Sequence, residues 1–137
     1  MELEPFLIAS ALKMIISQRL VKKVCPHCKE EHEIDNNLRE KVKKELIDIM
    51  DEDEINNIIF YKWTWCDKCK NTWYSWRLWV HEVLVIWDFL EKYILSKASA
   101  NEIKKIAKEN WMITIIQDAL LKAAMWETTI EEALKLI

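Results

Sequence analysis

Glycine is missing from this chain. None occurs in 137 residues, whereas a usual share of about 7% would supply roughly nine or ten, so a chance absence is on the order of one in ten thousand. Without glycine, every turn that needs a positive φ must be made by a residue carrying a Cβ. Long apolar runs are missing too. Lys13 interrupts the run from Phe6 to Ile16, and no stretch reaches the ~18 residues of a membrane span. The N-terminus carries Glu2 and Glu4 rather than a basic segment, which argues against a secretory signal peptide. No excess of basic residues is present either: the formal charge is −3, which weighs against a dedicated nucleic-acid binder but leaves room for a local basic patch. With 51% hydrophobic residues, the chain can bury a core as one domain or two small subdomains.

What is present is a set of four cysteines: Cys25-Pro-His-Cys28, a spacer of thirty-seven residues, then Cys66-Asp-Lys-Cys69. Two C-x-x-C hairpins offer two sulfurs each to one zinc ion, closing a tetrahedron at roughly 2.3 Å per Zn–S bond. The spacer exceeds the ~15–20 residues of an ordinary zinc ribbon, which predicts a helical insertion between the halves. Reduced thiols and a redox pair are the competing readings; the latter lacks the βαβ context of a thioredoxin-like motif. Thiols that bind metal rather than pair indicate a reducing cytoplasm. His27 and His32 are spare nitrogen ligands that a complete Cys₄ set does not need. Lys22, Lys23, Lys29, Lys62, Lys68, Lys70 and Arg77 flank the hairpins, where they offset a negative Zn(Cys)₄ centre or meet a partner or acidic lipid.

Along the chain, Pro5 suits a first helical turn, and the apolar pattern predicts a helix from Phe6 to Val24. Asn36 or Asn37 is the expected cap of a second helix bearing Leu38, Val42 and Leu46. Asp51-Glu-Asp-Glu54 reads as a solvated loop or helix start. Ile58–Lys62 and Leu78–Ile86 read as strands. From Asp88 onward the chain reads as helical. Asp88 is an expected cap, and capping boxes stand at Ser99/Glu102, at Thr114/Gln117, and at Thr128/Glu131 or Thr129/Glu132. The expected fold is therefore α+β, mostly α: a four-cysteine zinc subdomain with a short hairpin or two-stranded sheet, followed by a small helical bundle.

Eight tryptophans stand in this glycine-free chain. Trp111 and Trp126 each follow a predicted helix and precede a threonine cap. These are C′ positions, where the backbone turns left-handed and glycine is preferred. Reading each tryptophan as glycine turns the middle segment into Y-K-G-T-G-C-D-K-C-K-N-T-G-Y-S-G-R-L-G-V-H-E-V-L. So read, the chain resembles the C-terminal part of the ATPases of type II secretion and type IV pilus assembly (the GspE/PulE/PilB group). The matching residues are Glu4 to Leu12, Gln18-Arg-Leu-Val21, Cys25/Cys28, Cys66/Cys69, Thr72 to Leu84, and Thr128, Thr129, Glu131 and Glu132 in the tail. The resemblance covers nearly the whole chain outside 33–57. At least seven tryptophans fall on glycines of that pattern, Trp87 being the one without a clear counterpart. A codon read as tryptophan under one genetic code and glycine under another would leave such a pattern.

The resemblance implies a fragment of a hexameric P-loop motor at the inner membrane. Residues 1–24 would be the last helix of a truncated RecA-like ATPase core, 25–87 the tetracysteine zinc subdomain, and 88–137 a C-terminal helical subdomain. Zinc on Cys25, Cys28, Cys66 and Cys69 would be structural. ATP and Mg²⁺ would belong to the full-length family alone, because the G-x-x-x-x-G-K-[ST] loop that holds phosphates does not occur here. No residue is expected to be catalytic: His81 and Glu82 are neighbours in a strand and point to opposite faces. Gln18 and Arg19 resemble residues at the rim of the ATPase core. Implied partners are neighbouring subunits of a homohexamer and an inner-membrane platform protein, with the protein cytoplasmic and peripheral to that membrane. The competing function is an independent zinc-ribbon module that binds protein or nucleic acid through its aromatic, lysine-rich hairpin.

Overall fold

The computed structural model describes residues 4–136, apart from the side chains of Lys29 and Trp63. Glu2 and those two side chains therefore lie outside the described residues. The elements run α1 (Pro5–Ala11), β1 (Met14–Val24), β2 (Lys29–His32), α2 (Asn36–Leu46), α3 (Glu52–Asn56), β3 (Phe60–Trp63) and β4 (Tyr74–Val85). Four helices follow: α4 (Asp88–Leu95), α5 (Ala100–Glu109), α6 (Ile115–Ala124) and α7 (Ile130–Leu134). The chain is α+β, as expected, with two two-stranded sheets, β1–β4 and β2–β3. No described helix is long and apolar enough to cross a membrane.

The helix predicted over 6–24 is corrected. Helix ends after Ala11, and Met14–Val24 is an eleven-residue strand. Its β-branched Ile15, Ile16, Val21 and Val24 suit a pleated strand. A continuous apolar run does not by itself distinguish the two states; pairing with β4 does. Ile86 donates to the Lys13 carbonyl at 2.9 Å, and Cys25 donates to the Trp73 carbonyl at 2.9 Å. The strands therefore run in opposite directions.

Helix starts agree with the sequence to within a residue. Asp35, not Asn36 or Asn37, caps α2, accepting from the Leu38 N–H. Asp51 and Glu54 form a capping box on α3, so the acidic run is a helix start. Trp87 rather than Asp88 occupies the N-cap of α4. Ser99 and Glu102 form the expected box on α5. Thr129 caps α7 by accepting from the Glu132 N–H.

Three helices end in the same left-handed motif. After α5, Trp111 (φ 69°) donates to the Lys108 carbonyl and Met112 to that of Ala107. After α6, Trp126 (φ 65°) donates to the Ala123 carbonyl and Glu127 to that of Lys122. After α4, Lys97 (φ 58°) and Ala98 repeat the pattern on Ile94 and Tyr93. This 6→1, 5→2 pair is a Schellman motif, which places its C′ residue in the left-handed region. The sequence-based placement of Trp111 and Trp126 at C′ is therefore correct.

The residues form two compact units, 1–17 with 82–114, and 18–81 with 115–137. In the first, α4 packs against α1 and α5, and Leu90 is its most deeply buried side chain at 1% exposed. The second holds the main apolar core: Val21, Val42, Leu46, Ile55, Phe60, Val80, Leu120 and Ile130 are all buried there. Helix α6 is the hub of this unit, touching α2, β3 and α7. The Gln117 amide is fully buried and donates to the Glu45 carbonyl at 2.8 Å, which joins α6 to α2 without leaving its polar atoms unpaired.

Candidate metal centre

Each C-x-x-C turn is fixed by its own backbone. In the first, which follows β1, the Cys28 N–H donates to the Cys25 carbonyl at 3.4 Å, while the Thr64 N–H donates to the Cys28 carbonyl at 2.8 Å. In the second, the Asn71 N–H donates to the Cys66 carbonyl at 3.0 Å, and the Asn71 side-chain oxygen accepts the Cys66 N–H at 2.9 Å. The Thr72 hydroxyl donates to the Cys69 carbonyl at 2.6 Å. Lys70 and Asn71 take φ of 53° and 56°, and Trp73 follows at 68°. Asparagine tolerates that region through its short polar side chain; lysine and tryptophan gain nothing there.

The β2–β3 ribbon brings the two turns together. Lys29 pairs with Trp63 and His32 with Phe60 in an antiparallel register, which puts Cys28 and Cys66 just beyond one end of the ribbon. The insertion, α2 and α3, leaves from the other end. A spacer of any length is compatible with the site when it is looped out this way.

The four sulfurs converge. The ligand atoms of Cys25, Cys28, Cys66 and Cys69 all lie within 4.8 Å of one another. A tetrahedron with Zn–S bonds of roughly 2.3 Å has edges of about 3.8 Å, and the Cys28 and Cys69 sulfurs are 3.8 Å apart. Cys25, Cys28 and Cys66 are buried and Cys69 is partly exposed. The donor set and spacing fit a closed tetrathiolate site for a soft metal ion. Neither His27 nor His32 belongs to the cluster, and among the described residues it is the one such group.

Protons are held unevenly among the thiols. Burial, reinforced by hydrogen bonds with Cys69 and Cys25, pushes the Cys28 thiol up to about 12. Burial also pushes Cys69 upward, but the Trp73 backbone N–H and the Cys28, Cys66 and Cys25 thiols outweigh it and bring Cys69 down to about 7. Cys69 is thus the more acidic of the Cys28 and Cys69 pair. Trp73 serves both turns, its N–H acting on Cys69 and its carbonyl accepting the Cys25 N–H.

A clamp that the sequence did not reveal holds the strand entering the site. The Lys22 N–H donates to the Glu132 carboxylate at 3.1 Å, and the Thr128 hydroxyl donates to the Lys22 carbonyl at 2.8 Å. Two residues on, the Val24 N–H donates to the Glu127 carbonyl at 3.0 Å. The tail thus occupies the free edge of β1 immediately before Cys25. On β4, the Asp118 carboxylate accepts the His81 N–H at 2.7 Å and the Lys122 ammonium at 2.6 Å, while Lys122 also donates to the Trp79 carbonyl. Edge groups that would otherwise invite another strand are thereby satisfied.

Other residues singled out in the sequence fall elsewhere. Gln18 and Arg19 are exposed on β1, where Arg19 donates to the Gln18 carbonyl. His81 and Glu82 are adjacent on β4. Lys22 lies over the Tyr74 ring, 5.0 Å from its centroid, and both line an open cleft of about 620 Å³ with Trp76, Arg77 and Trp79. Lys68 and Lys70 border a second opening beside Cys25 and Cys69.

An α+β chain whose β-ribbon ends in a tetracysteine cluster, locked by a helical tail, is the class defined by fold and site. Residues 1–135 match the family described as type II/IV secretion system protein, and the chain belongs to that family. Among curated proteins it is 40% identical over 134 residues to the type IV pilus assembly ATPase PilB of Thermus thermophilus, covering 98% of this chain and 14% of the relative. It is 34% identical over 135 residues to the type II secretion system ATPase E of Vibrio cholerae, covering 98% of this chain and 25% of the relative. The PilB of Myxococcus xanthus is 34% identical over 133 residues, with 22% of its length covered. The chain thus spans a quarter or less of the length of these relatives.

Proposed function

We propose that this chain is the C-terminal, zinc-binding portion of a hexameric motor ATPase that powers type IV pilus assembly or type II secretion. Its own role is structural and interactive. In this reading residues 1–24 continue from a RecA-like ATPase core, 25–87 carry the metal-binding turns, and 88–137 supply helices to both compact units. The observation that carries the proposal is the family match across residues 1–135 combined with the four sulfurs within 4.8 Å of one another.

Cys25, Cys28, Cys66 and Cys69 would hold Zn²⁺, which supplies a cross-link between sequence-distant turns rather than a reaction. Binding energy becomes folding energy when a subdomain forms its site only on folding. Nucleotide chemistry requires a phosphate loop that this sequence does not contain, so ATP and Mg²⁺ would be handled by a core joined to it. The partners would be neighbouring subunits and an inner-membrane platform protein, on the cytoplasmic side of that membrane. In cells whose motor carries this segment, Cys66→Ser with Cys69→Ser is expected to abolish pilus extension or secretion while leaving the core's nucleotide binding intact. Normal assembly by a zinc-free variant would refute the structural role.

A second reading, an independent module binding single-stranded nucleic acid, is favoured by Trp76, 78% exposed, standing with Arg77 and Lys22 around the cleft. Stacking on exposed rings beside cations is the chemistry of such surfaces. Oligonucleotide binding that weakens steeply with salt would support it.

A further inference from the structure

The backbone does not want tryptophan where this chain has it. Six described residues have positive φ, and three of them are Trp73, Trp111 and Trp126, at 68°, 69° and 65°. A bulky residue there is an outlier, and glycine is the usual occupant of a Schellman C′ position. The C′ residue must turn left-handed for both closing hydrogen bonds to form, and both form at Trp111 and at Trp126.

Burial offers no compensation. Trp111 is 91% exposed, and Trp65, Trp76, Trp79, Trp87 and Trp126 are also among the exposed large side chains. None of the described tryptophan side chains enters the main core, although tryptophan is on average a well-buried residue. Trp126 has a ring contact, edge-on to Tyr61 with centroids 5.0 Å apart. At Trp87, the N-cap of α4, no side-chain cap is made; glycine is an accepted N-cap and large apolar residues are not. Seven tryptophans, each strained or exposed, stand in a chain with no glycine at all.

We infer that this protein is made with glycine at positions 73, 111 and 126, and at the other tryptophan positions by the same route, a UGA codon read as glycine. The Trp73 turn then reaches the cysteine cluster without a Cβ in the left-handed region, and both helix ends close without strain. The cleft loses its aromatic walls at 76 and 79. Arg77, Lys22 and Tyr74 remain, and the stacking surface that favours nucleic acid disappears. This inference does not depend on the secretion-motor reading, since codons and masses are indifferent to function.

Two measurements test it. The codons at the eight positions are expected to be UGA, and protein isolated from its source cells is expected to be lighter than the tryptophan form by eight indole side chains. Its ultraviolet absorbance should then rest on three tyrosines. A UGG codon at 73, 111 or 126, or a mass that retains the indoles, overturns the inference. Independently, Trp111→Gly introduced into the tryptophan-containing chain should raise the folded-to-unfolded ratio roughly five- to thirty-fold by relieving the left-handed Cβ. No gain at this exposed site would contradict the strain on which the inference rests.

Discussion

Glu132 offers the sharpest test of how the helical tail holds the entrance to the cysteine cluster. Its side chain is buried, 6% exposed, although it carries a charge. One carboxylate oxygen accepts the Lys22 N–H at 3.1 Å and the other accepts the Lys135 ammonium. Burial alone would raise its pKa, but the Lys135 hydrogen bond, the Lys22 N–H and the nearby positive charge prevail and hold it below its ordinary 4.5. The hydrogen bond from a backbone N–H to a charged acceptor contributes about 1.5–3 kcal/mol. The Lys135 partner is 65% exposed, so solvent screening limits that ion pair to about 0–1 kcal/mol.

Glu132→Ala should therefore cost about 1.5–4 kcal/mol, combining both losses without counting the Lys22 N–H twice. Glu132→Gln keeps a neutral acceptor and should cost about 1 kcal/mol. A carboxylate with a depressed folded pKa gives stability that is present above the unfolded pKa and lost as pH falls through the folded value. The gap between parent and Glu132→Gln should accordingly close below pH 4.5. Urea unfolding at neutral and acid pH, followed by circular dichroism with parent and variants compared in the same metal state at each pH, measures both effects. An alanine variant that loses less than about 1 kcal/mol, or a glutamine gap that persists in acid, would refute the clamp.

Three further outcomes follow from the same geometry. Thr128→Val removes the hydroxyl that meets the Lys22 carbonyl at 2.8 Å, leaves the carbonyl short of a partner, and should cost about 1–3 kcal/mol by urea titration. Leu46→Ala opens a cavity at a fully buried site in the core and should cost about 2–5 kcal/mol in the same assay. Metal binding must expel the proton held by Cys28, whose thiol stays protonated up to about 12, and below about 7 that of Cys69 as well. Apparent zinc affinity from competition with a chromophoric chelator should thus fall at least about tenfold for each unit by which pH is lowered, steepening by a further factor of about ten per unit below pH 7. A flat profile would contradict this proton inventory.

The cysteine cluster was legible because C-x-x-C turns are local and their spacing carries the geometry. The long spacer was readable as an insertion, which the β2–β3 register explains. Capping signals are local too, and Ser99/Glu102 and Thr129/Glu132 stand where the sequence puts them. The run after Ala11 reads as helix in the sequence because Leu, Ile and Val in succession satisfy either period. Only the pairing with β4, sixty residues away in the chain, makes Met14–Val24 a strand. The clamps were illegible for a related reason. Asp118, Thr128 and Glu132 act on backbone atoms of remote strands, and backbone acceptors and donors leave no mark in a sequence. In the sequence Thr128 and Glu132 read only as helix-start residues, whereas the structure also gives them the two backbone polar groups of Lys22.

The central claim is that four thiolates hold one zinc ion between the two turns. X-ray absorption at the zinc edge, on protein purified without added metal, tests it most directly. The account predicts one zinc per chain with four sulfur neighbours at roughly 2.3 Å, and loss of both the signal and the folded state on chelation. A metal-free protein that stays folded, or a zinc shell containing nitrogen or oxygen in place of a cysteine sulfur, would contradict it.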